Sequence, residues 1–188
     1  SLAHTATDFD TAVRAFERGA NHVTHLYNAM NPYTHRAPGL VGAAVDTQKV
    51  EVELICDGVH IHPAAVRTTF KMFGDERIIL ISDSMMATGL EDGDYSLGGQ
   101  AVKVVGNLAT LQDGTIAGAA TNLMDCLRTA VLKMGIPLES AVKCATVNPA
   151  KSVGIYDRYG SIAPQKKANV VLLKKEDLSL KQVILEGQ

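Results

Sequence analysis

Four apolar runs in this sequence end on side chains that can bind a metal ion or move a proton. Leu2-Ala3 leads into His4, His22-Val23-Thr24 into His25, Leu54-Ile55-Cys56 into Asp57 with His60 close behind, and Ile79-Leu80-Ile81-Ser82 into Asp83. Imidazole nitrogens suit a divalent ion such as zinc, which in catalytic sites takes about three protein ligands and keeps one position open. His4 and His25 offer two. A carboxylate closing an apolar run, as Asp83 does, is expensive to bury without a partner. Beside a metal it can take a proton from water and return it to a leaving nitrogen. In the run Ser82-Asp83-Ser84 it equally suits a turn or a helix N-cap. Histidines and an aspartate at successive strand ends point to a metal-dependent hydrolase.

Such groups converge only if parallel strands carry them to one rim. The four strand ends lie 21, 32 and 26 residues apart, which leaves room for a strand and a crossover helix each time. A (β/α) barrel gathers its catalytic groups in this way. Neighbouring strands about 4.8 Å apart would bring His4 and His25 to one ion. Between the strand ends, apolar residues at Phe9, Ala12, Val13 and Phe16 predict a helix over 7–19, followed by a strand over 21–25. Residues 28–42 carry Pro32, Pro38, Gly39 and Gly42 and predict an irregular loop, placed to meet a substrate. Buried strands are expected over 50–56 and 77–82, and a helix over 63–73 opened by Pro63.

Beyond Asp83 the texture changes. Residues 95–111 read as short strands with glycine-rich turns, and Asp113-Gly114 marks a further turn. Helices are expected over 121–134 and 138–145, with a short one from Asn148-Pro149 to Val153, and strands over 169–173 and 182–185.

Other features narrow the function. With 188 residues, 46% of them hydrophobic, and a formal net charge of −2, the chain can bury a core and lacks the basic surface that nucleic acid or an anionic membrane requires. Cys56, Cys126 and Cys144 are widely spaced in apolar surroundings, which fits reduced core thiols in a cytoplasmic protein. His22 lies at the far end of its strand and reads as structural or exposed. His35 and His62 read as loop residues. Arg36 suits either a bidentate contact to an anion or a solvated loop charge. No glycine-rich phosphate cradle is present.

Thr24-His25-Leu26-Tyr27-Asn28-Ala29-Met30, followed by His35-Arg36-Ala37-Pro38-Gly39, resembles the signature of the N-acetylglucosamine-6-phosphate deacetylases of the amidohydrolase superfamily. So do Cys56-Asp57-Gly58-Val59-His60, Ser82-Asp83-Ser84, Gly114-Thr115-Ile116-Ala117-Gly118 and Thr146-Val147-Asn148-Pro149-Ala150. The resemblance implies metal-dependent removal of acetate from N-acetylglucosamine 6-phosphate. It makes His4 and His25 the histidine ligands of a divalent ion, zinc or another such as iron. Asp83 becomes the general base towards water and then the general acid towards the amine. His60 polarises the acetamide carbonyl, and Asn28, Ala29, Arg36, Asp57 with His60, and Ile116, Ala117 and Gly118 contact the sugar phosphate.

The resemblance also implies an α/β fold, the C-terminal part of a (β/α)8 TIM-type barrel over 1–160 with a β-rich insertion at about 91–118, and strands of a small β-sandwich domain over 161–188. Family members are about twice as long and carry a metal-binding glutamate upstream, for which this chain shows no substitute. Ala3 and Gln165 stand where the family usually has glycine, and Asn169 where it has aspartate. A half-barrel exposes two unpaired strand edges, which predicts a homodimer or other association. Another amidohydrolase activity, a deaminase or cyclic amidase, and a non-catalytic fragment are the alternatives.

Overall fold

The structure, a computed structural model, describes residues 1–188. Asp8 opens the first helix by accepting the N–H of Thr11 at 2.7 Å, the usual service of an aspartate N-cap. Helix α1 (Phe9–Glu17) buries Ala12 and Phe16. Strand β1 (His22–Val23) is shorter than the expected 21–25. Thr24 still donates to the carbonyl of Leu2 at 3.0 Å, but the backbone turns left-handed at His25 and leaves the ladder.

The predicted loop ends earlier than expected, because α2 (Gly39–Asp46) begins inside it. Pro38 occupies the cap position, where it interrupts no helical bond. Gly42 is required by close packing, since a Cβ there would lie 2.4 Å from Cβ of Pro38. Strand β2 (Glu51–Ile55), helix α3 (Pro63–Phe73) and strand β3 (Ile78–Ile81) follow. His62 proves to be the N-cap of α3, its Nδ1 accepting from Ala64 at 3.1 Å.

The three strands form a parallel sheet in the order β1-β2-β3, and Leu2 adds a parallel bridge to Val23. A core of 23 buried residues joins this sheet to the helices. β2 is not buried on both faces as expected: Val52 and Leu54 are fully enclosed, while Glu51 and Glu53 are half-buried on the other side.

A second sheet follows β3: β4 (Gly93–Leu97), β5 (Gln100–Val105), β6 (Leu108–Thr110) and β7 (Ile116–Ala119), antiparallel in chain order. It packs Val102, Val104, Ala109 and Ala117 on Met85 and Ala87, and a parallel bridge from Ser84 to Ala119 ties it to the segment leaving β3.

Helices α4 (Leu123–Leu132), α5 (Leu138–Ala145) and α6 (Val147–Ser152) return to the parallel sheet. Asn148 pins α6 there, donating from Nδ2 to the carbonyls of Asp75 at 2.6 Å and Ile78 at 2.7 Å. The chain ends in an antiparallel pair, β8 (Val170–Leu173) and β9 (Leu180–Ile184). No helix is long and apolar enough to cross a membrane.

Candidate active site

Parallel register brings the four strand ends together in two pairs. Two residues beyond the Leu2–Val23 bridge lie His4 and His25, and two beyond the Ile55–Ile81 pair lie Asp57 and Asp83. His4, His25 and Asp83 have φ of 45°, 34° and 53°, and Tyr27 and Ala29 follow at 78° and 52°. Left-handed backbone at non-glycine residues costs about 1–3 kcal/mol each and gathers at functional sites. Here it turns each strand end away from the ladder and over the rim.

The Nε2 atoms of His4 and His25 face one another at 2.9 Å, with the rings edge to face at 4.7 Å between centroids. His25 is buried and its Nδ1 has no hydrogen-bond partner. The turn after it is held by Asn28, whose Nδ2 donates to the carbonyls of His25 and Leu26, both at 3.2 Å. Tyr27 is anchored to α3 through a 2.7 Å bond to Thr69. The hydroxyl of Thr69 donates to Ala65, so Tyr27 donates to Thr69.

Glu53, which sequence reasoning missed, supports the same turn. One carboxylate oxygen meets Nε2 of His22 at 3.0 Å and the other accepts the backbone N–H of His25 at 3.3 Å. Burial acts to raise the Glu53 pKa, but the bond and charge of His22 and the N–H of His25 prevail and hold it below the ordinary value. His22 is structural, as expected, although it lines a cavity of about 490 Å³ together with Glu53 and Asp83. The signal that could have found Glu53 is the Glu51-x-Glu53 alternation, which puts both carboxylates on one face of a strand.

Asp57 lies inside its own loop. Oδ1 accepts the N–H groups of Val59 at 2.8 Å and His60 at 3.0 Å, and Oδ2 meets Nδ1 of His60 at 2.6 Å. Its side chain is 0% exposed, so its carboxylate has no surface to offer a substrate. Burial pushes the Asp57 pKa up, yet the bonds from the His60 ring and from both N–H groups outweigh it and keep the carboxyl below its ordinary value.

Asp83, by contrast, is exposed. Its carboxylate makes no hydrogen bond and no helix follows it, so it is not an N-cap. What holds it is the second sheet: Ala119 donates to the carbonyl of Asp83 at 2.9 Å, and Met85 donates to that of Ala119 at 2.9 Å. Ser84 donates to the carbonyl of Thr121 at 2.6 Å and meets Ser82 at 2.7 Å. Gly118, at φ 68°, would place a Cβ 3.6 Å from the Asp83 carbonyl, which brings one of the expected substrate residues to Asp83. Ala117 is buried in the second core and Ile116 is exposed beside it. Arg36 and His35 are exposed, and Arg36 makes no ion pair.

The donor set fits a divalent ion in part. Two imidazole nitrogens aimed at one point are suitable ligands, but no group of three or more His, Cys, Asp or Glu side chains is arranged to hold a metal ion. All three cysteines are free and buried. Burial pushes the thiols of Cys126 and Cys144 up to about 12 and that of Cys56 higher still, which leaves them unreactive.

The fold and this rim place the chain in a known class, for the amidohydrolase family matches residues 1–188. The chain belongs to that family. It is 40% identical to the N-acetylglucosamine-6-phosphate deacetylase of Bacillus subtilis strain 168, over 94% of this chain and 44% of the relative. An Escherichia coli K12 protein named for N-acetylgalactosamine-6-phosphate deacetylase is 37% identical over 87% of this chain and 97% of its own length. A Mycobacterium smegmatis N-acetyl-D-glucosamine-6-phosphate deacetylase, solved as an aspartate-to-alanine variant with N-acetyl-D-glucosamine-6-phosphate, superimposes with a TM-score of 0.92 at 38% identity. The match covers 99% of this chain and 49% of that one. The chain thus spans about half the length of most of the curated relatives it matches.

Proposed function

We propose that this chain is the C-terminal part of a (β/α)8 barrel that hydrolyses the acetamide of N-acetyl-D-glucosamine 6-phosphate to D-glucosamine 6-phosphate and acetate, in amino-sugar catabolism and recycling. The observation that carries the reading is the rim itself: two histidines nose to nose, a free carboxylate and a buttressed third histidine, on strand ends joined by parallel register.

His4 and His25 would hold a divalent ion, zinc or another such as iron, since imidazole suits both, and such an ion would supply Lewis acidity at the amide and at water. The chain's own groups do the rest. Asp83 removes a proton from the attacking water as its oxygen bonds to the acetamide carbon, and delivers that proton to the nitrogen as the C–N bond breaks. His60 donates from Nε2 to the carbonyl oxygen as charge develops there. Arg36 takes the 6-phosphate. Asn28, Ala29 and the 116–118 strand, with the Asp57–His60 loop, border the sugar.

The barrel reading assigns 1–160 to the partial barrel, 91–118 to its insertion and 161–188 to a small β-sandwich. The unpaired edges at Leu2 and β3 call for more strands, from a second copy or from a segment corresponding to the rest of the longer relatives, and the third metal ligand comes with them. The three buried free thiols support a cytoplasmic setting.

A second reading changes the sugar only. Relatives that are 36% and 37% identical include enzymes named for N-acetylgalactosamine 6-phosphate, the C4 epimer. Acetate release by the metal-loaded full chain from both phosphates and from the unphosphorylated sugars, with ring opening of a panel of cyclic amides and ammonia release from aminopurines followed in parallel, separates the cases. Turnover of N-acetylglucosamine 6-phosphate above all others is expected. Turnover of a cyclic amide or deaminase substrate alone would overturn the proposal.

A further inference from the structure

The Asp57 carboxylate is enclosed beside His60 and reaches nothing outside its own loop. Asp57 Oδ1 is committed to two backbone N–H donors, so its second oxygen is left for one partner, Nδ1 of His60 at 2.6 Å. An ionised carboxylate only accepts hydrogen bonds, so Nδ1 must carry the proton. The His60 side chain is 5% exposed. Its Nε2 has no partner in the protein and is not among the enclosed unpartnered atoms, so it is the ring's one open nitrogen.

We propose that Asp57 is a positioning residue that does not touch the substrate: it fixes the tautomer and plane of His60 so that Nε2 alone meets the ligand. With Nδ1 committed as a donor, Nε2 of the neutral ring is an acceptor, and it donates only when the ring is an imidazolium. A carbonyl or phosphate oxygen at Nε2 therefore binds together with a proton on the ring, and a hydroxyl or water donor binds without one. Gly58, at φ 83°, makes the tight turn that closes the pair, and a Cβ there would lie 3.5 Å from Cγ2 of Thr129. The turn thus lies close to α4. The consequence for catalysis rests on the deacetylase reading, but the tautomer claim does not.

The isosteric change Asp57→Asn gives a sharp test. The oxygen of the introduced amide must stay at the Oδ1 position to keep the two backbone bonds, which puts its NH2 against Nδ1 of His60. An NH2 group donates, so Nδ1 must become the acceptor and the proton must move to Nε2. Long-range ¹H–¹⁵N spectra of the full chain, recorded well above the ordinary imidazole pKa of about 6.5, report the tautomer directly. The wild type is expected to show protonated Nδ1 and bare Nε2, and Asp57→Asn the reverse, with the Val59 and His60 amides still protected from exchange. A wild-type ring protonated at Nε2 overturns the proposal without any variant. So does an Asp57→Asn chain whose His60 tautomer is unchanged. If the deacetylase reading fails while the tautomer switches, the positioning role stands alone.

Discussion

Replacing Gln165 by glycine should stabilise the chain. The N–H of Lys166 donates to the carbonyl of Ala163 at 3.2 Å, with Pro164 and Gln165 between them, and Gln165 has φ 71°. Proline followed by a positive φ describes a type II turn, whose third position favours glycine. Gln165 is exposed and its side chain bonds to nothing, so only backbone strain is at stake. Left-handed backbone costs an L-residue about 1–2 kcal/mol. Glycine's greater freedom in the unfolded chain takes back about 0.4–1 kcal/mol. A net gain of about 0.5–1 kcal/mol remains, which for a domain of this size raises Tm by about 1–4 °C. Thermal unfolding followed by circular dichroism measures it, with Gln165→Ala as control, because alanine keeps the strain and should melt with the wild type. A glycine variant that melts at or below the wild type, or an alanine variant that gains as much, would refute the reasoning.

Two further perturbations probe a support of the rim and a clamp at the opposite end of the parallel sheet. Glu53 titrates below its ordinary value of 4.5 in the folded chain, so its stabilisation is full above that pH and is lost as pH falls through the folded value. The stability gap between wild type and Glu53→Gln should therefore be about 1 kcal/mol near pH 7, a partly screened share of the usual charged hydrogen bond, and should shrink as the pH falls below the ordinary value of 4.5. Urea midpoints across pH read it, and a gap that widens in acid contradicts the assignment. Arg77 donates to the carbonyls of Ala44, Val45, Thr47 and Val50 and lies 4.8 Å over the Phe73 ring, closing the C-terminal end of α2. Arg77→Ala should lower stability by about 2–4 kcal/mol, with lysine restoring only part because it lacks the planar fork. An unchanged urea midpoint would show that water replaces the clamp.

Much of this architecture was legible where local chemistry is decisive. Pro63 can sit only in a first turn, and α3 runs from it to Phe73 as expected; the apolar spacing of Leu138 to Ala145 likewise gave α5 its observed bounds. The misses turn on packing and turn contacts that residue types alone do not reveal. β1 stops at Val23 because a left-handed turn, tied to Glu53 and α3, takes over at His25. α2 starts at Gly39 because Pro38 and Gly42 pack against each other. At the rim, residue types announced His4, His25 and Asp83, but not that the Asp57 carboxylate is spent inside its loop, nor that Glu53 buttresses His25. Those are facts of side-chain direction, which only the strand register and the loop geometry decide.

The central claim is that Asp83 is the proton carrier of an amide hydrolysis at this rim. It is tested most directly by acetate release from N-acetyl-D-glucosamine 6-phosphate, measured with wild-type and Asp83→Asn chains of equal metal content. Loss of a positioned acid–base group lowers the rate by about 10²- to 10⁴-fold. The account predicts a loss in that range in kcat, with folding preserved because the Asp83 carboxylate holds no hydrogen bond. Equal rates in the two chains would contradict it.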